Sequence, residues 1–289
     1  MNGILVVNKP KDFTSRDVVN KITKILHTKK VGHTGTLDPI ASGVLIICVG
    51  KYTTLCDLLT SKYKEYIATI KLGTKTDTLD ITGNIIEEKE YNVTKEQIIE
   101  VLESFKGKSI QTVPIYSAVK VNGKKLYEYA REGKEVELPK REIDVKEIEL
   151  LDYSIDEIKF KTTVSKGTYI RALIDDICSK LNTVGTMSDL IRTKQGKFSI
   201  EESITLEDIE KGNYKMLPIE EVIDDVEIID INEETYKKVL NGTIIPKEFN
   251  DEISCIRYNG KIIAIYKTYE KDNSLSKPYK MFTGGINNE

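Results

Sequence analysis

The sequence predicts an α+β fold in which a mixed, mostly antiparallel sheet is flanked by helices. Strand-like and helix-like segments are interleaved along residues 1–224 without the strict strand–helix–strand order of a parallel α/β protein. The chain has 289 residues, 39% of them hydrophobic, which is enough for one large core. After residue 224 strand signals dominate, and this predicts a small β-rich domain at 225–289.

The first elements are marked by apolar runs and by a helix-capping pair. Residues 4–7, ILVV, predict a buried strand, and Thr14 with Asp17 three positions later predicts a helix start. Residues 44–49, VLIICV, predict a second, fully buried strand. Residues 63–72, YKEYIATIKL, alternate and predict a strand with one buried face. That face carries Tyr66, Ala68, Ile70 and Leu72.

Helices and strands continue to alternate along the middle of the chain. The predicted elements are a helix capped by Thr94 and Gln97 that runs to Phe105, a short helix at 126–131, strands at 145–153 and 158–165, and a helix marked by Ile170, Leu173, Ile174 and Ile177. Between them, residues 106–142 are basic and rich in turns. The C-terminal part predicts a strand at 228–231, a helix at 235–240 and a hairpin at 253–267 with Asn259-Gly260 at its turn.

Cysteine and leader patterns favour a protein of the reducing cytoplasm. The four cysteines match no zinc or redox spacing, and the two histidines leave few metal ligands. We therefore predict no metal site. The N-terminus lacks the basic region and cleavage pattern of a signal peptide, and the longest apolar run is far too short to cross a bilayer.

The net charge of −3 does not by itself indicate a nucleic-acid partner. Its distribution is uneven, because residues 1–80 carry 12 Lys/Arg and 7 Asp/Glu while the rest of the chain is acidic. This asymmetry allows a basic face that could bind phosphates. An ordinary solvated surface would give the same count.

The most compact group of reactive side chains is Gly32 to Pro39, GHTGTLDP. Two glycines allow a tight turn, and Pro39 biases Asp38 away from helical backbone. Asp38 is therefore either a catalytic carboxylate in a rigid loop or an ordinary turn aspartate. The stretch is not a phosphate-binding P-loop, because the later glycines and Lys51 are wrongly spaced.

Tyr66 and Arg171 can each be interpreted in two ways, as structural or as functional residues. Tyr66 lies on an apolar strand face, so it is either a core tyrosine or an aromatic platform for a base. Arg171 stands at the start of an apolar helix, so it is either a partly buried arginine that requires an anion or a surface arginine with a buried stem.

Basic and aromatic residues are interleaved from Pro114 to Gly133, PIYSAVKVNGKKLYEYAREG. This mixture suits neutralisation of a nucleic-acid backbone together with base stacking, although an exposed loop and helix would look the same. The paired acids Asp77 and Asp80 indicate a turn and not a metal site, because few ligands lie nearby.

Six ordered segments resemble the TruB family of tRNA pseudouridine-55 synthases over nearly the whole chain. They are GILVVNKPKDFTS, GHTGTLDPIASGVL, KEYIATIKLGTKTDTLDITG, PIYSAVKVNGKKLYEYAREG, SKGTYIRALIDDI and LIRTKQGKFS. The resemblance implies a pseudouridine synthase domain at 1–224, in which 106–142 is an insertion that closes over the tRNA T-loop. It also implies an RNA-binding PUA-like domain at 225–289. One departure is Val113, which stands before Pro114 where many members have a second proline.

The resemblance also implies residue roles. Asp38 matches the catalytic aspartate, Tyr66 the tyrosine that stacks on uracil, and Arg171 the arginine that pairs with the aspartate. The residues expected to bind substrate are His33, which matches the histidine that helps hold the target nucleotide out of its loop, Leu190, which lines the pocket, and Lys64, Lys9 and Tyr169, which lie in the same motifs.

The implied reaction detaches uracil from C1′ of its ribose, turns it and rejoins it through C5. The base must first be flipped out of the T-arm. Ionised Asp38 would then attack C1′ of the sugar or C6 of the base, with Arg171 orienting it. We expect no cofactor. We also expect the protein to be a monomer whose partner is tRNA alone.

Three rival functions remain open from the sequence. A non-catalytic RNA-binding protein would keep the basic segments and the C-terminal domain without needing the three catalytic residues. A hydrolase with paired carboxylates would need a second acid, for which Asp77 and Asp80 are the candidates. A guide-RNA-dependent pseudouridine synthase would use the same chemistry.

Overall fold

Two β-sheets organise the protein, whose computed structural model describes residues 1–60, 62–223 and 226–282. Within these ranges the strands are β1 (Gly3–Lys9), β2 (Val31–His33), β3 (Ser42–Val49), β4 (Tyr63–Leu72), β5 (Thr74–Thr76), β6 (Ile85–Glu88), β7 (Gly107–Thr112), β8 (Lys120–Val121), β9 (Lys124–Lys125), β10 (Lys140–Tyr153), β11 (Glu157–Ser165), β12 (Gly185–Gln195), β13 (Phe198–Ser199), β14 (Glu227–Asp230), β15 (Ile245–Pro246), β16 (Ile253–Tyr258), β17 (Lys261–Tyr269) and β18 (Asp272–Met281). The helices are α1 (Ser15–Ile25), α2 (Lys95–Glu103), α3 (Leu126–Arg131), α4 (Ile170–Lys180), α5 (Leu206–Glu210) and α6 (Glu233–Leu240), with 3₁₀ turns at Gly50–Leu55, Ile200–Glu202 and Ile219–Glu221.

The large sheet has the strand order β1-β3-β12-β4-β11-β10-β7, with β2 beside β3 and β13 beside β12. Its neighbouring strands are antiparallel except at β3 and β12, where Ser42 pairs with Ile191 and Gly43 with Arg192. The predicted mixed, mostly antiparallel sheet is thus confirmed. The parallel junction lies directly after the loop that carries Asp38.

Strands β1 and β3 are buried on both faces, which explains their unbroken apolar runs. One face packs on helices α1 and α5, and the other belongs to a core shared with the C-terminal sheet. Thr14 precedes helix α1 and forms the predicted capping box. Its hydroxyl accepts a hydrogen bond from the Asp17 N–H, and the Asp17 carboxylate accepts one from the Thr14 N–H. Helix α4 buries its predicted apolar residues against β12, β4 and β7, beside helix α2.

The C-terminal sheet has the order β14-β16-β17-β18-β15. Its β16–β17 hairpin turns at Asn259 and Gly260, whose φ angles of 48° and 77° suit a primed two-residue turn. The β-rich C-terminal domain is therefore confirmed. The predicted boundary at residue 224 and the terminal residues 283–289 lie outside the described residues.

Strands β7 and β12 were not predicted, because polar residues occupy many of their buried positions. Strand β12 buries Thr186, Arg192 and Gln195, and β7 is an edge strand with Gln111 as its buried residue. Neither shows the apolar alternation from which strands are recognised. Since β7 and the first residues of β10 belong to the large sheet, the part of the predicted 106–142 insertion that leaves the sheet is 113–139.

No helix in the described ranges is long and apolar enough to cross a membrane.

Candidate active site

Asp38 lies in the loop between β2 and β3, and neighbouring elements fix that loop. The buried Ser15 hydroxyl of helix α1 accepts a hydrogen bond from the Leu37 N–H at 2.9 Å and donates to the Leu37 carbonyl at 3.2 Å. The Asp38 carbonyl accepts from the Ala41 N–H at 3.1 Å, which closes a turn. Asp38 is therefore a turn aspartate, and the turn presents its side chain with 32% exposure.

Arg171 meets the Asp38 carboxylate with a two-pronged ion pair. Its Nε donates to Oδ2 at 2.9 Å and its Nη2 to Oδ1 at 3.1 Å. The remaining donors reach the carbonyls of Thr78 at 2.9 Å and Tyr116 at 3.0 Å. The guanidinium is 6% exposed, so it is a buried arginine with an anion and not a surface arginine.

A cavity of about 430 Å³ opens above this ion pair. Tyr66 on β4 and Leu190 on β12 line it from adjacent strands, and both also belong to the hydrophobic core. Tyr66 is thus a core tyrosine, 7% exposed, that also lines the cavity. Its role as a platform for a base stays a prediction. Among the described residues that line the cavity, Asp38 is the single Asp or Glu.

Lys64 and Tyr169, which the sequence analysis assigns to substrate binding, also line the cavity. Burial, and then the charges of Arg192 and Lys166, lower the pKa of Lys64 from 10.5 to about 8. Tyr169 caps the N-terminus of helix α4, two positions before Arg171. The motifs around these residues thus converge on one site.

Lys9 lies outside the set of residues that line the cavity. Its ammonium is completely buried and donates to the carbonyls of Pro10 at 2.8 Å, Phe13 at 2.5 Å and Pro39 at 3.2 Å. The bond to Pro39 ties Lys9 to the loop that carries Asp38, so its side chain supports that loop. Its predicted contact with substrate stays a prediction.

His33 lies on β2, outside the set of residues that line the cavity. Burial, and then the charges of Arg16 and Arg192, lower the pKa of its imidazole, which favours the neutral form. Within the described residues its Nδ1 is buried without a hydrogen-bond partner. Its predicted contact with RNA stays a prediction.

Arg192 is a site residue that sequence reasoning missed. It is completely buried on β12, where its Nε donates to the Val44 carbonyl at 2.6 Å and its Nη2 to the Gly35 carbonyl at 3.2 Å. It thereby fastens both sides of the Asp38 loop to the strand that carries Leu190. The available signal was an arginine inside the segment LIRTKQ, but β12 itself was not predicted.

Segment 113–139 forms the outer wall of the cavity through Tyr116, Ser117 and Tyr127. The basic and aromatic residues of this segment contact one another. Lys125 and Arg131 lie within 5.3 Å of the Tyr127 ring centroid, and Lys124 lies 4.9 Å from that of Tyr129.

The acids predicted to form a turn do so. The Asp80 Oδ1 accepts hydrogen bonds from the Thr78 hydroxyl at 3.0 Å and from the Thr82 amide at 3.0 Å, and Asp77 accepts from the Asn84 amide at 2.9 Å. Neither acid lines the cavity. Across the part of the chain that the structure describes, no group of three or more His, Cys, Asp or Glu could hold a metal ion.

Comparisons with known proteins give consistent results. Residues 23–170 match the family model "TruB family pseudouridylate synthase (N terminal domain)", and residues 171–246 match "tRNA pseudouridylate synthase B C-terminal domain". The chain is 43% identical to tRNA pseudouridine synthase B of Bacillus pumilus, over 98% of each chain. It is 44% identical to that of Bacillus subtilis, over 97% of each chain.

Among solved structures, the chain resembles one described as a crystal structure of a Cbf5-Nop10-Gar1 complex. The TM-score is 0.74 at 27% identity, and the match covers 97% of this chain and 84% of the other.

Proposed function

The chain belongs to the TruB family of pseudouridylate synthases, and on that premise we propose that it converts uridine 55 in the T-loop of tRNA to pseudouridine. The observation that carries the proposal is the ion pair between Asp38 and Arg171 at the base of a cavity lined by Tyr66 and Leu190. A carboxylate held in this way is oriented and exposed on one side only.

The reaction is an isomerisation that needs no outside reactant. The bond between N1 of uracil and C1′ breaks, a bond between C5 and C1′ forms, C5 loses a proton and N1 gains one. Asp38 acts as nucleophile, at C1′ of the sugar or at C6 of the base, and leaves again when the new bond is complete. Arg171 orients it with a fork that a single ammonium could not supply.

The cavity must also hold a base that has left its stack. Flipping costs a few kcal/mol, which stacking and hydrogen bonds in the cavity offset. Tyr66 supplies a flat aromatic face and Leu190 an aliphatic one, and Tyr66 is a candidate for the group that removes a proton. Lys64, with Arg192 and Lys166 nearby, makes the same wall positive and suited to a phosphate.

The substrate and setting follow from the family. We propose that the protein acts on tRNA in the cytoplasm, as a monomer without an obligatory protein partner. The C-terminal sheet is the candidate for the PUA-like domain that adds RNA contacts. A guide-dependent synthase is the second candidate, since the chain resembles a structure whose description names Nop10 and Gar1 as companions. The curated relatives are more similar and are named for tRNA.

The test of this function is turnover of an unmodified tRNA transcript that carries a tritium label at C5 of uridine 55. The parent protein alone should release the label and yield pseudouridine at that position. Asp38→Asn should abolish release while tRNA binding persists, and Arg171→Lys should lower kcat by about 10²-fold because the fork is lost. Asp77→Asn, a turn acid outside the cavity, is the matched control and should keep parent activity.

Each rival function predicts a different result in this assay. Normal release by Asp38→Asn would remove Asp38 as nucleophile, and free uracil among the products would indicate a hydrolase. Binding without any pseudouridine would indicate a non-catalytic RNA-binding protein. A requirement for added guide RNA and partner proteins would indicate the guide-dependent function.

A further inference from the structure

Gln111 and Arg141 are paired in register across β7 and β10, at the base of segment 113–139. Both side chains reach the loop at 167–169, which leads into helix α4. Neither lines the cavity, yet the residue they hold, Tyr169, does.

Gln111 holds the backbone of Tyr169 from both sides. Its Oε1 accepts a hydrogen bond from the Tyr169 N–H at 2.9 Å, and its Nε2 donates to the Tyr169 carbonyl at 3.1 Å. The amide thus copies the pairing that a neighbouring strand would make. Because Gln111 is 1% exposed, water cannot easily replace these bonds.

Arg141 holds the same loop by contacting the Gly167 carbonyl and the Tyr169 ring. Its Nη1 donates to the Gly167 carbonyl at 3.2 Å, and its guanidinium lies 5.5 Å from the centroid of the Tyr169 ring. Gly167 has φ +89°, and a Cβ there would lie 2.8 Å from Arg141 Nη1. The close approach of the guanidinium therefore depends on a glycine at this position.

We propose that Gln111 and Arg141 are positioning residues that fix Tyr169 as a wall of the cavity and tie it to the base of segment 113–139. The inference rests on the proposed function, since it assigns the two residues to the placement of the flipped nucleotide. Arg171 adds a second tie between the same parts, because its Nη2 donates to the Tyr116 carbonyl within the segment.

A purely structural role fits the edge strand less well. Gln111 is the buried residue of β7, whose other residues are exposed, so an apolar side chain would anchor the strand at lower desolvation cost. An amide at this position is useful because it fixes both peptide groups of Tyr169. Positioning of this kind affects the rate of the chemical step more than the affinity for a large RNA.

The first test replaces Gln111 and reads kcat and KM for tRNA separately. Gln111→Met removes both hydrogen bonds, and we expect kcat to fall by about 10- to 100-fold with KM changed less than about twofold. Gln111→Glu keeps the acceptor for the Tyr169 N–H and should restore part of kcat. Ser109→Ala, an exposed change on the same strand, is the matched control. A rise in KM as large as the fall in kcat would overturn the proposal, and so would an unchanged kcat.

The second test asks whether the effect passes through Tyr169. In a Tyr169→Ala background, Gln111→Met and Arg141→Met should each change kcat by less than about twofold, because residues that act as a unit are non-additive. A full loss in that background would overturn the proposal.

Hydrogen exchange of the Tyr169 amide gives a readout that does not depend on activity. The exchange should accelerate in Gln111→Met, while amides in the middle of helix α4 keep their protection. Should the parent form no pseudouridine, the proposed function fails, and this exchange still decides the positioning. Unchanged exchange at Tyr169 would overturn it.

Discussion

At the scale of single residues, the site depends on buried cations that hydrogen-bond to the protein around Asp38. Arg171 gives its donors to one carboxylate and two carbonyls. Arg192 and Lys9 each donate to one carbonyl of the loop that carries Asp38, Gly35 and Pro39 respectively, and to further carbonyls beside that loop. Such groups are costly to bury but strongly destabilising to remove, because their partners are left without donors. The rigidity of Asp38 therefore comes from cations that substrate does not need to touch.

Lys9→Met tests this at one residue. The Pro10, Phe13 and Pro39 carbonyls would lose their donor, so the free energy of unfolding should fall by about 3 kcal/mol. Chemical denaturation at pH 7 measures the change. Lys24→Met, an exposed lysine on helix α1, is the control and should change little.

Lys9→Met should also change how the free energy of unfolding depends on pH. Burial lowers the pKa of Lys9 from 10.5 to about 8, against the opposing charge of Asp38. Between these values the unfolded chain holds the proton and the native state releases it, so this lysine makes stability rise with pH through that window. Lys9→Met should make the rise less steep by the part that Lys9 contributes, while Lys64, with a similarly lowered pKa, keeps its own part. An unchanged profile between pH 8 and 10.5 would contradict the prediction.

At the scale of elements, the junction between β3 and β12 determines where Asp38 lies relative to Leu190. Gly43 makes this junction possible, because it has φ +105° and a Cβ there would lie 2.2 Å from the Arg192 carbonyl oxygen. Real Cβ atoms do not approach backbone so closely, so any side chain must separate the two strands.

Gly43→Ala should therefore cost about 3 kcal/mol or more of the free energy of unfolding and lower kcat together with it. Gly212→Ala is the matched control, since Gly212 also has positive φ, at +78°, but has no atoms within 4 Å of the added Cβ. It should cost about 1 kcal/mol, from backbone conformation alone. Equal losses for the two variants, measured by urea denaturation, would show that the junction tolerates a side chain.

Elements also show how far the sequence can predict this structure. Strands β1 and β3 and helix α1 were predictable because their burial is apolar and local capping residues mark the helix. Strands β7 and β12 were not, since polar groups such as Gln111 and Arg192, whose partners lie far along the chain, interrupt their apolar pattern. For the same reason the pairing of Asp38 with Arg171 was implied by family resemblance and not by spacing. The burial of Lys9 beneath the Asp38 loop was not predictable either, because a motif does not state where its side chain points.

At the scale of the whole molecule, the two sheets share a hydrophobic core. Ile262 and Ile265 of β17 pack in one cluster with Ile4, Val6 and other residues of β1 and β3, and the Ile262 amide donates to Glu220 at 2.5 Å. The other face of β17 packs with Ile263 in a separate cluster within the C-terminal part. The strands that hold the Asp38 loop are thus stabilised from behind by the C-terminal sheet.

This shared core predicts that the parent protein unfolds in one calorimetric transition. Ile265→Ala removes a completely buried side chain from the shared cluster and should lower stability by about 2–5 kcal/mol, with amides of β3 and β17 losing protection together. Ile263→Ala is the matched control, because it removes the same side chain from the separate cluster and should leave the coupling of the two sheets intact. Two transitions in the parent protein, the upper one unmoved by Ile265→Ala, would show that the large sheet does not depend on the C-terminal sheet for its stability.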